Sequence, residues 1–376
     1  MSRISWILLI GLGLFLFMSF GIKTKPQFIV DKQTPIWDVL VKLGKIKTNM
    51  LDTTQQYSIR KGEELVYFGQ TTDFRGRSTP RISKKLVCSA CHSTESEYGM
   101  AEMYDPQVRL EYCDSLDRPF LPASPLFGMI NRRYFFNGDY ITLFQTDNQK
   151  LKKDAHLDIR SAIQFCNQYI ARGRELKEWE VESIIAFLWT LELKIGDLNL
   201  SETDLSKVQF AIDNNRSNAR AVDIMRRHYP EIYPASLVPP QEMQIRKQTS
   251  PVLNDFTNGK KVYQRSCLHC HENKRYSNLK LDMEPSSFKF LKKHLDDTSR
   301  HSMYNVIRYS PESKGYKLGM PHYSSERLSD QQLQDLRFFI IQVDRLGAEA
   351  FPYYETPRGP DGRPLKIEEE PQDSLR

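Results

Sequence analysis

The chain has 376 residues, of which 40% are hydrophobic and 27% are charged. This balance is ordinary for globular proteins and excludes a chain that is disordered throughout, while the scattered glycines and prolines exclude a collagen-like repeat. The formal net charge of +6 comes from basic residues interleaved with 47 acidic ones, so it does not indicate binding to nucleic acid. At this length we expect two to three domains.

Residues 4–22 form an uncharged, largely apolar segment, which Arg3 precedes and Lys23 and Lys25 follow. Its length is close to the ~20 residues that span a membrane as a helix, and it also fits the apolar core of a signal peptide. We therefore expect residues 1–25 to be a membrane anchor or a cleaved signal. Either interpretation places the remaining chain on the periplasmic side of a bacterial inner membrane.

Two C-x-x-C-H motifs are the most informative feature of the sequence. The first comprises Cys88, Cys91 and His92, and the second comprises Cys267, Cys270 and His271. This spacing is the attachment signature of c-type haem, in which two thiols bond the porphyrin and the following histidine becomes the proximal iron ligand. A zinc site would need paired C-x-x-C knuckles or a downstream H-x-x-x-H. The motifs predict two covalently bound haem c groups.

The helical patterns around the motifs predict a mostly α fold, with two cytochrome c-like helical domains in tandem after the N-terminal hydrophobic helix. Each half ends in an amphipathic helix, at 179–193 and at 328–343, where Ser329 is the expected N-cap. Gly259, on the helix before the second motif, is small enough to let another helix cross closely. We expect a first cytochrome domain with a loop insertion at 36–200, a helical and proline-rich linker at 201–250, a second cytochrome domain at 251–345 and a disordered tail at 346–376.

The sixth iron ligands decide between electron transfer and chemistry at a haem. For the second haem we expect Met320, which lies in a proline-stiffened loop just before the last amphipathic helix. Met303 and Met283 are its alternatives. For the first haem no methionine-proline pair follows the motif, and five side chains are candidates: Met100, Met103, Met129, Cys113 and Cys166.

The order of features in the first half resembles the first domain of the thiosulfate dehydrogenases and of the related SoxA cytochromes, which oxidise sulfur compounds. The shared pattern is a C-x-x-C-H motif, a helix ending in I-x-x-C at Cys166, a G-x-x-L turn and a final amphipathic helix. The second half, with Met320 before L-S-D-Q-Q, is similar to their second domain, so the resemblance covers roughly residues 55 to 345. It implies that Cys166 is the axial ligand of a catalytic haem and contacts the substrate, and that the second haem accepts the electrons.

The sequence departs from that family at the position that holds the substrate anion. The family has an arginine four residues before the ligand cysteine, whereas this chain has Ala162 there and Arg160 two positions away. Arg132 and Arg133, in the insertion, are candidates for the missing charge, since a guanidinium matches an oxyanion by paired hydrogen bonds. Their alternative role is to pair with haem propionates or to face solvent.

Cys113 leaves a further alternative open, because two spare cysteines in an exported domain often form a disulfide, and Cys113 could pair in this way with Cys166.

The favoured function is oxidation of a small sulfur anion such as thiosulfate at the first haem, with electrons passing through the second haem to an acceptor cytochrome or respiratory complex. The alternative is a non-catalytic dihaem electron-transfer subunit of a membrane respiratory complex. A dihaem peroxidase is a third possibility, for which the sequence offers no distal acid-base group.

Overall fold

The computed structural model describes residues 28–97, 105–136, 141, 144, 146–214, 219–229, 254–271, 285–295, 302–309 and 320–347. The helices are α1 (Ile36–Lys42), α2 (Ile59–Phe68), α3 (Pro106–Ser115), α4 (Gln149–Asp154), α5 (Ile159–Phe165), α6 (Glu178–Thr190), α7 (Glu202–Asp213), α8 (Ala219–Arg226), α9 (Phe256–Val262), α10 (Leu268–His271), α11 (Pro285–Lys293), α12 (Met303–Tyr309) and α13 (Asp330–Leu346).

The described residues confirm a mostly α fold, because they contain two isolated β-bridges and no strand. Among these residues, no helix combines the length and the apolar character needed to cross a membrane. The hydrophobic segment at 4–22 and most of the tail expected at 346–376 lie outside the described residues.

Helices α2 and α6 cross at a glycine in the first half. Helix α2 begins after Ser58, whose side chain accepts a hydrogen bond from the Lys61 amide, and it ends at Gly69 in the left-handed conformation. A Cβ atom on Gly62 would lie 1.9 Å from the carbonyl oxygen of Ser183 on α6. Only glycine therefore permits this crossing, which fixes the helix that leads toward the first haem motif.

Helices α9 and α13 repeat this arrangement in the second half. A Cβ atom on Gly259 would lie 2.0 Å from the carbonyl oxygen of Asp335, so the close crossing expected at this glycine is confirmed. The Ser329 side chain caps α13 by accepting a hydrogen bond from the Gln332 amide, and the Ser329 amide donates to the side-chain oxygen Oε1 of Gln332. The predicted cap of the last helix is thus also confirmed.

The insertion in the first half contains α3, whose apolar residues pack on the second half. Leu110 and Phe120 share one hydrophobic core with residues of α9, α11, α12 and α13. Salt bridges reinforce the contact, since Arg265 binds Asp114 at 2.8 Å and Lys261 binds Glu111 at 2.6 Å. The insertion therefore holds the two halves together.

The segment expected as a linker begins with helices α7 and α8. Their apolar faces share a core with α1 near the start of the described chain, through Val208 and Met225 on one side and Ile36 and Leu40 on the other. This part of the segment is packed in a core, and residues 230–250 lie outside the described residues.

Candidate haem-binding sites

The first C-x-x-C-H motif forms a tight turn at the wall of a large cavity. A 3₁₀ turn spans Cys88–Ala90, and the amide of His92 donates to the carbonyl of Cys88 at 3.0 Å. Cys88, Cys91 and His92 all line the cavity, which has about 1560 Å³ of empty space with its open mouth included. Most of its wall is apolar: Val66, Ile82, Leu86, Val87, Leu126, Phe135, Phe136, Ile159, Ile163, Ile170, Leu176, Ile184 and Leu188. Two thiols and an imidazole on an apolar cavity fit a haem c group.

The imidazole of His92 is oriented for an iron ligand. Its Nδ1–H donates to the carbonyl oxygen of Ser124 at 2.6 Å, which directs Nε2 away as the ligand atom. Burial lowers the pKa of His92 to about 4, so the ring is neutral at physiological pH, as metal ligation requires. The loop that carries Ser124 is fixed to the motif, because Ala123 N–H donates to the Cys91 carbonyl at 3.0 Å.

Cys166 lines the same cavity as the first motif. Asp158 caps helix α5 through the Ser161 amide, and a single π-helical turn, Cys166–Ile170, follows the helix. Such turns are frequent at functional sites. Burial raises the pKa of the Cys166 thiol to about 12, so the free side chain is a neutral thiol. A bound metal would take it as the thiolate.

The residues considered as sixth ligand of the proposed first haem differ in position. All six cysteines lie in the described residues and are free thiols, so Cys113 and Cys166 form no disulfide. Cys113 lies in the core that α3 shares with the second half, whereas Cys166 and Met129 line the cavity. Met100 and Met103 lie outside the described residues.

The arginines proposed for anion binding have different environments. Arg132 is buried, lines the cavity and donates to the carbonyl of Pro125 at 2.9 Å. Its charge also contributes to the lowered pKa of His92, which places Arg132 near the histidine ligand. Arg133 is exposed and lies over the ring of Tyr134, at 5.5 Å from the ring centroid.

Arg160 forms a structural ion pair with Glu182. Its guanidinium donates to both carboxylate oxygens of Glu182, at 2.6 and 2.9 Å, and to the carbonyl of Met50 at 2.7 Å. Ala162, at the position where the related family has arginine, lines the cavity. Arg132 is thus the only cavity-lining cation among the three arginines considered from the sequence.

The second motif begins at Cys267, the last residue of a π-helical turn, Tyr263–Cys267, and continues through the short helix α10, which ends at His271. Burial raises the pKa of Cys267 and that of Cys270 to about 12. Cys267 and Met320 pack against the same hydrophobic core. The thiols, the imidazole and a thioether in one region provide the donors that a second haem c requires.

Of the alternatives to Met320, Met303 is buried in that core at the start of α12. Met283 lies outside the described residues. Met320 differs from Met303 in its place on a loop, next to Pro321, which itself lines the cavity of the first half.

The two motifs touch. The Sγ atom of Cys270 lies 3.9 Å from the carbonyl oxygen of Ala90, which is inside the first motif. The loop after Met320 also contributes His322 and Arg327 to the cavity of the first half. Both halves therefore build the first site.

The comparison with protein families identifies the class of the second half. Residues 254–340 match the family described as cytochrome C oxidase, cbb3-type, subunit III. Together with the second motif, this match defines a c-type cytochrome domain, with covalently bound haem c and electron transfer as its chemistry. No curated protein and no solved structure matches the chain.

Three contributors to the first site, Ser124, His322 and Arg327, were not predicted from the sequence. Ser124 acts through its backbone carbonyl, so its side-chain type carries no signal. Arg327 reaches the site from the second half, and no local pattern relates it to a motif more than 200 residues earlier.

Proposed function

We propose that the chain is a dihaem c-type cytochrome that passes electrons from the first haem to the second, and onward to a respiratory partner. The observation that carries this proposal is the contact of 3.9 Å between Cys270 Sγ and the Ala90 carbonyl. It brings one haem attachment sulfur of the second motif against the backbone of the first. Each haem c supplies one-electron iron chemistry when it is bound.

The chain's own residues give the two sites different tasks. His92 and His271 would hold the two irons, with Met320 as the second protein ligand at the second site and Cys166 at the first. A thioether raises the reduction potential, whereas a thiolate donates electron density to the iron and favours its oxidised form. Electrons therefore move from the Cys166 site to the Met320 site.

The family match supports the proposed class of partner. The match to a subunit of a respiratory oxidase supports delivery of electrons to a membrane respiratory complex or its acceptor cytochrome. Covalent haem attachment and the apolar segment at 4–22 support a location on the periplasmic side of a bacterial inner membrane, with that segment as anchor or cleaved signal.

A potentiometric titration of the holoprotein tests this function. We expect two one-electron waves in the wild type. The double variant Cys88→Ala/Cys91→Ala should lose the lower-potential wave, and Cys267→Ala/Cys270→Ala should lose the higher one. A single wave in the wild type would contradict the proposal.

A second candidate function is the oxidation of a small sulfur anion at the first haem. It is favoured by the position of the Cys166 thiol on a cavity that also holds the buried cation Arg132. Joining two thiosulfate anions through a new S–S bond releases two electrons, and the two haem sites take one each. The same site operating in reverse would reduce tetrathionate.

Anaerobic mixing with thiosulfate tests this second function. We expect thiosulfate-dependent haem reduction in the wild type and its loss in Cys166→Ala. Cys113→Ala is the control, because Cys113 lies in the core rather than on the cavity. No thiosulfate-dependent haem reduction in the wild type would exclude this activity and leave electron transfer alone. Equal reduction in the wild type and in Cys166→Ala would exclude Cys166 as the site of the oxidation.

A further inference from the structure

We propose that Arg327, a residue of the second half, positions the axial histidine of the first haem. Arg327 belongs to residues 320–329, which we call the methionine loop because it begins with the proposed ligand of the second haem. The inference rests on the proposed dihaem function, and it makes the methionine loop a structural part of both haem sites.

The guanidinium of Arg327 binds the loop that orients His92. Its Nη2 donates to the carbonyl oxygen of Ala123 at 2.6 Å and to that of Leu121 at 3.1 Å. Ala123 directly precedes Ser124, whose carbonyl accepts the 2.6 Å hydrogen bond from His92 Nδ1. Two peptide groups of this short segment are therefore fixed by one side chain from the other half of the chain.

A buried ion network holds Arg327 itself in place. Its Nη1 lies 3.1 Å from Glu97, a carboxylate five residues after the histidine ligand. Arg109 completes the network: its Nη1 donates to the Leu121 carbonyl at 3.1 Å, and its Nη2 to the Arg327 carbonyl at 2.8 Å. The three charged residues are between 1% and 5% exposed. At such burial, each lost hydrogen bond to a charged group is costly, so the geometry is tightly specified.

The methionine loop is fixed on its other side by Arg308 of α12. Its Nη1 donates to the carbonyls of Tyr323, Ser324 and Leu328, at 3.0, 3.2 and 2.7 Å, and its Nη2 binds Asp330 at 2.7 Å. Arg308 is fully buried and these contacts stay within the second half. Two arginines therefore hold the methionine loop. Arg308 binds it to the rest of the second half, and Arg327 binds it to the first site.

Two further hydrogen bonds connect the second half to the segment that orients His92. The hydroxyl of Tyr323 donates to the carbonyl of Phe120 at 3.1 Å, and Ser266, next to Cys267, donates to the same carbonyl at 3.1 Å. The segment from Phe120 to Ser124 is therefore bonded to the methionine loop, to the residue before the second motif and to the first histidine. Losing the bonds that Arg327 makes to Leu121 and Ala123 would displace the Ser124 carbonyl that sets the orientation of His92.

The pair Arg327→Lys and Arg308→Lys tests the inference, with haem ligation and redox state as readouts. Lysine keeps the positive charge but loses the planar fork that binds two carbonyls and a carboxylate together. For Arg327→Lys we expect altered electron paramagnetic resonance g-values of the first haem. At a fixed applied potential, the ratio of reduced to oxidised first haem should change at least tenfold. This corresponds to a shift of 59 mV in the reduction potential of a one-electron couple. The methionine-to-iron charge-transfer band of the second haem should be unchanged.

Arg308→Lys should give the opposite result, with a weakened charge-transfer band at the second haem and unchanged g-values at the first. Glu97→Gln/Arg327→Gln provides a charge-balanced variant that also lacks the fork, and it should reproduce the first-haem change even if a single variant does not fold. Unchanged first-haem g-values and potential in both Arg327 variants would overturn the inference, as would equal shifts at both haems. A wild type with one haem would instead refute the proposed function.

Discussion

Cys270 Sγ, in the second motif, lies 3.9 Å from the carbonyl oxygen of Ala90, between the two cysteines of the first motif. Because haem c is bonded through such cysteines, we expect the two proposed haems to lie close enough to exchange electrons without an external carrier. The insertion helix α3 maintains the contact through its salt bridges with Arg265 and Lys261.

The glycines at the two helix crossings should be irreplaceable. In Gly62→Ala and Gly259→Ala the new Cβ atom would lie 1.9 and 2.0 Å from backbone oxygens, which cannot move without separating the helices. We expect each variant to lose about 3 kcal/mol or more of the free energy of unfolding. Urea denaturation followed by far-ultraviolet circular dichroism measures it.

Gly76→Ala is the control for these two variants. A Cβ atom on Gly76 meets nothing within 4 Å, although its φ of +79° is a left-handed conformation. The cost there should be about 1 kcal/mol, from backbone conformation alone. Equal destabilisation of all three variants would contradict the proposed role of the close crossings.

Cys166 should determine the spectrum of the first haem. In Cys166→Met a thioether replaces the thiolate, so we expect the thiolate-type low-spin signal to disappear and the potential of the first haem to rise. Low-temperature electron paramagnetic resonance and potentiometry measure the two effects. In Met129→Leu, which alters the other candidate ligand on the cavity, the thiolate signal should persist. A wild type without that signal, whose first-haem spectrum changes in Met129→Leu but not in Cys166→Met, would assign the ligand to Met129 instead.

Arg132 and Arg133 are adjacent in sequence but should differ in their effect on the first haem. Arg132→Gln removes a buried positive charge beside His92, which favours the ferric form and lowers the reduction potential by the equivalent of about 2 kcal/mol. Arg133 is exposed, so Arg133→Gln should leave the potential unchanged within experimental error. Equal shifts in the two variants would show that Arg132 exerts no specific effect at the haem.

The carboxylate of Glu97 should make stability depend on pH. Burial alone would raise its pKa, but the charges of Arg327 and Arg109 outweigh burial and hold the pKa below its ordinary value of 4.5. A carboxyl group whose pKa is lowered by folding stabilises the protein above its unfolded pKa, and this contribution is lost as pH falls toward the folded pKa. We expect the free energy of unfolding to fall as the pH decreases from about 6 to below 4.

Glu97→Gln should be less stable at neutral pH by about 3 kcal/mol, because buried arginines lose their counter-charge, and its stability should vary less between these pH values. Glu95→Gln is the matched control, since the Glu95 side chain is 58% exposed in its pair with Arg118. Chemical denaturation at a series of pH values measures all three proteins. A pH profile of Glu97→Gln that parallels the wild type would contradict the assignment.

The helical elements that carry the motifs could be predicted from local sequence. The cap at Ser329, the crossing at Gly259 and the placement of Cys166 at the end of a helix all depend on contacts within a few residues or on one small side chain. The contributions of Ser124 and Arg327 could not be predicted. Both depend on backbone carbonyls that meet partners far away in the chain, and such contacts leave no periodic trace in the sequence.

The packing of α3 also could not be predicted from the sequence. The stretch between the first motif and Cys166 is an insertion relative to the family that the first half resembles, so no pattern defines its neighbours. Leu110 and Cys113 show only that this helix has an apolar face, and the structure identifies the core of the second half as what that face covers.

The most direct test of the central claim is the number of haems bound to each chain. The measurement is the intact mass of protein matured with haem-attachment machinery, combined with haem quantification from the absorbance of its pyridine complex. We predict two covalent haems in the wild type, one in Cys88→Ala/Cys91→Ala and one in Cys267→Ala/Cys270→Ala. One haem in the wild type, lost only when the second motif is changed, would contradict it.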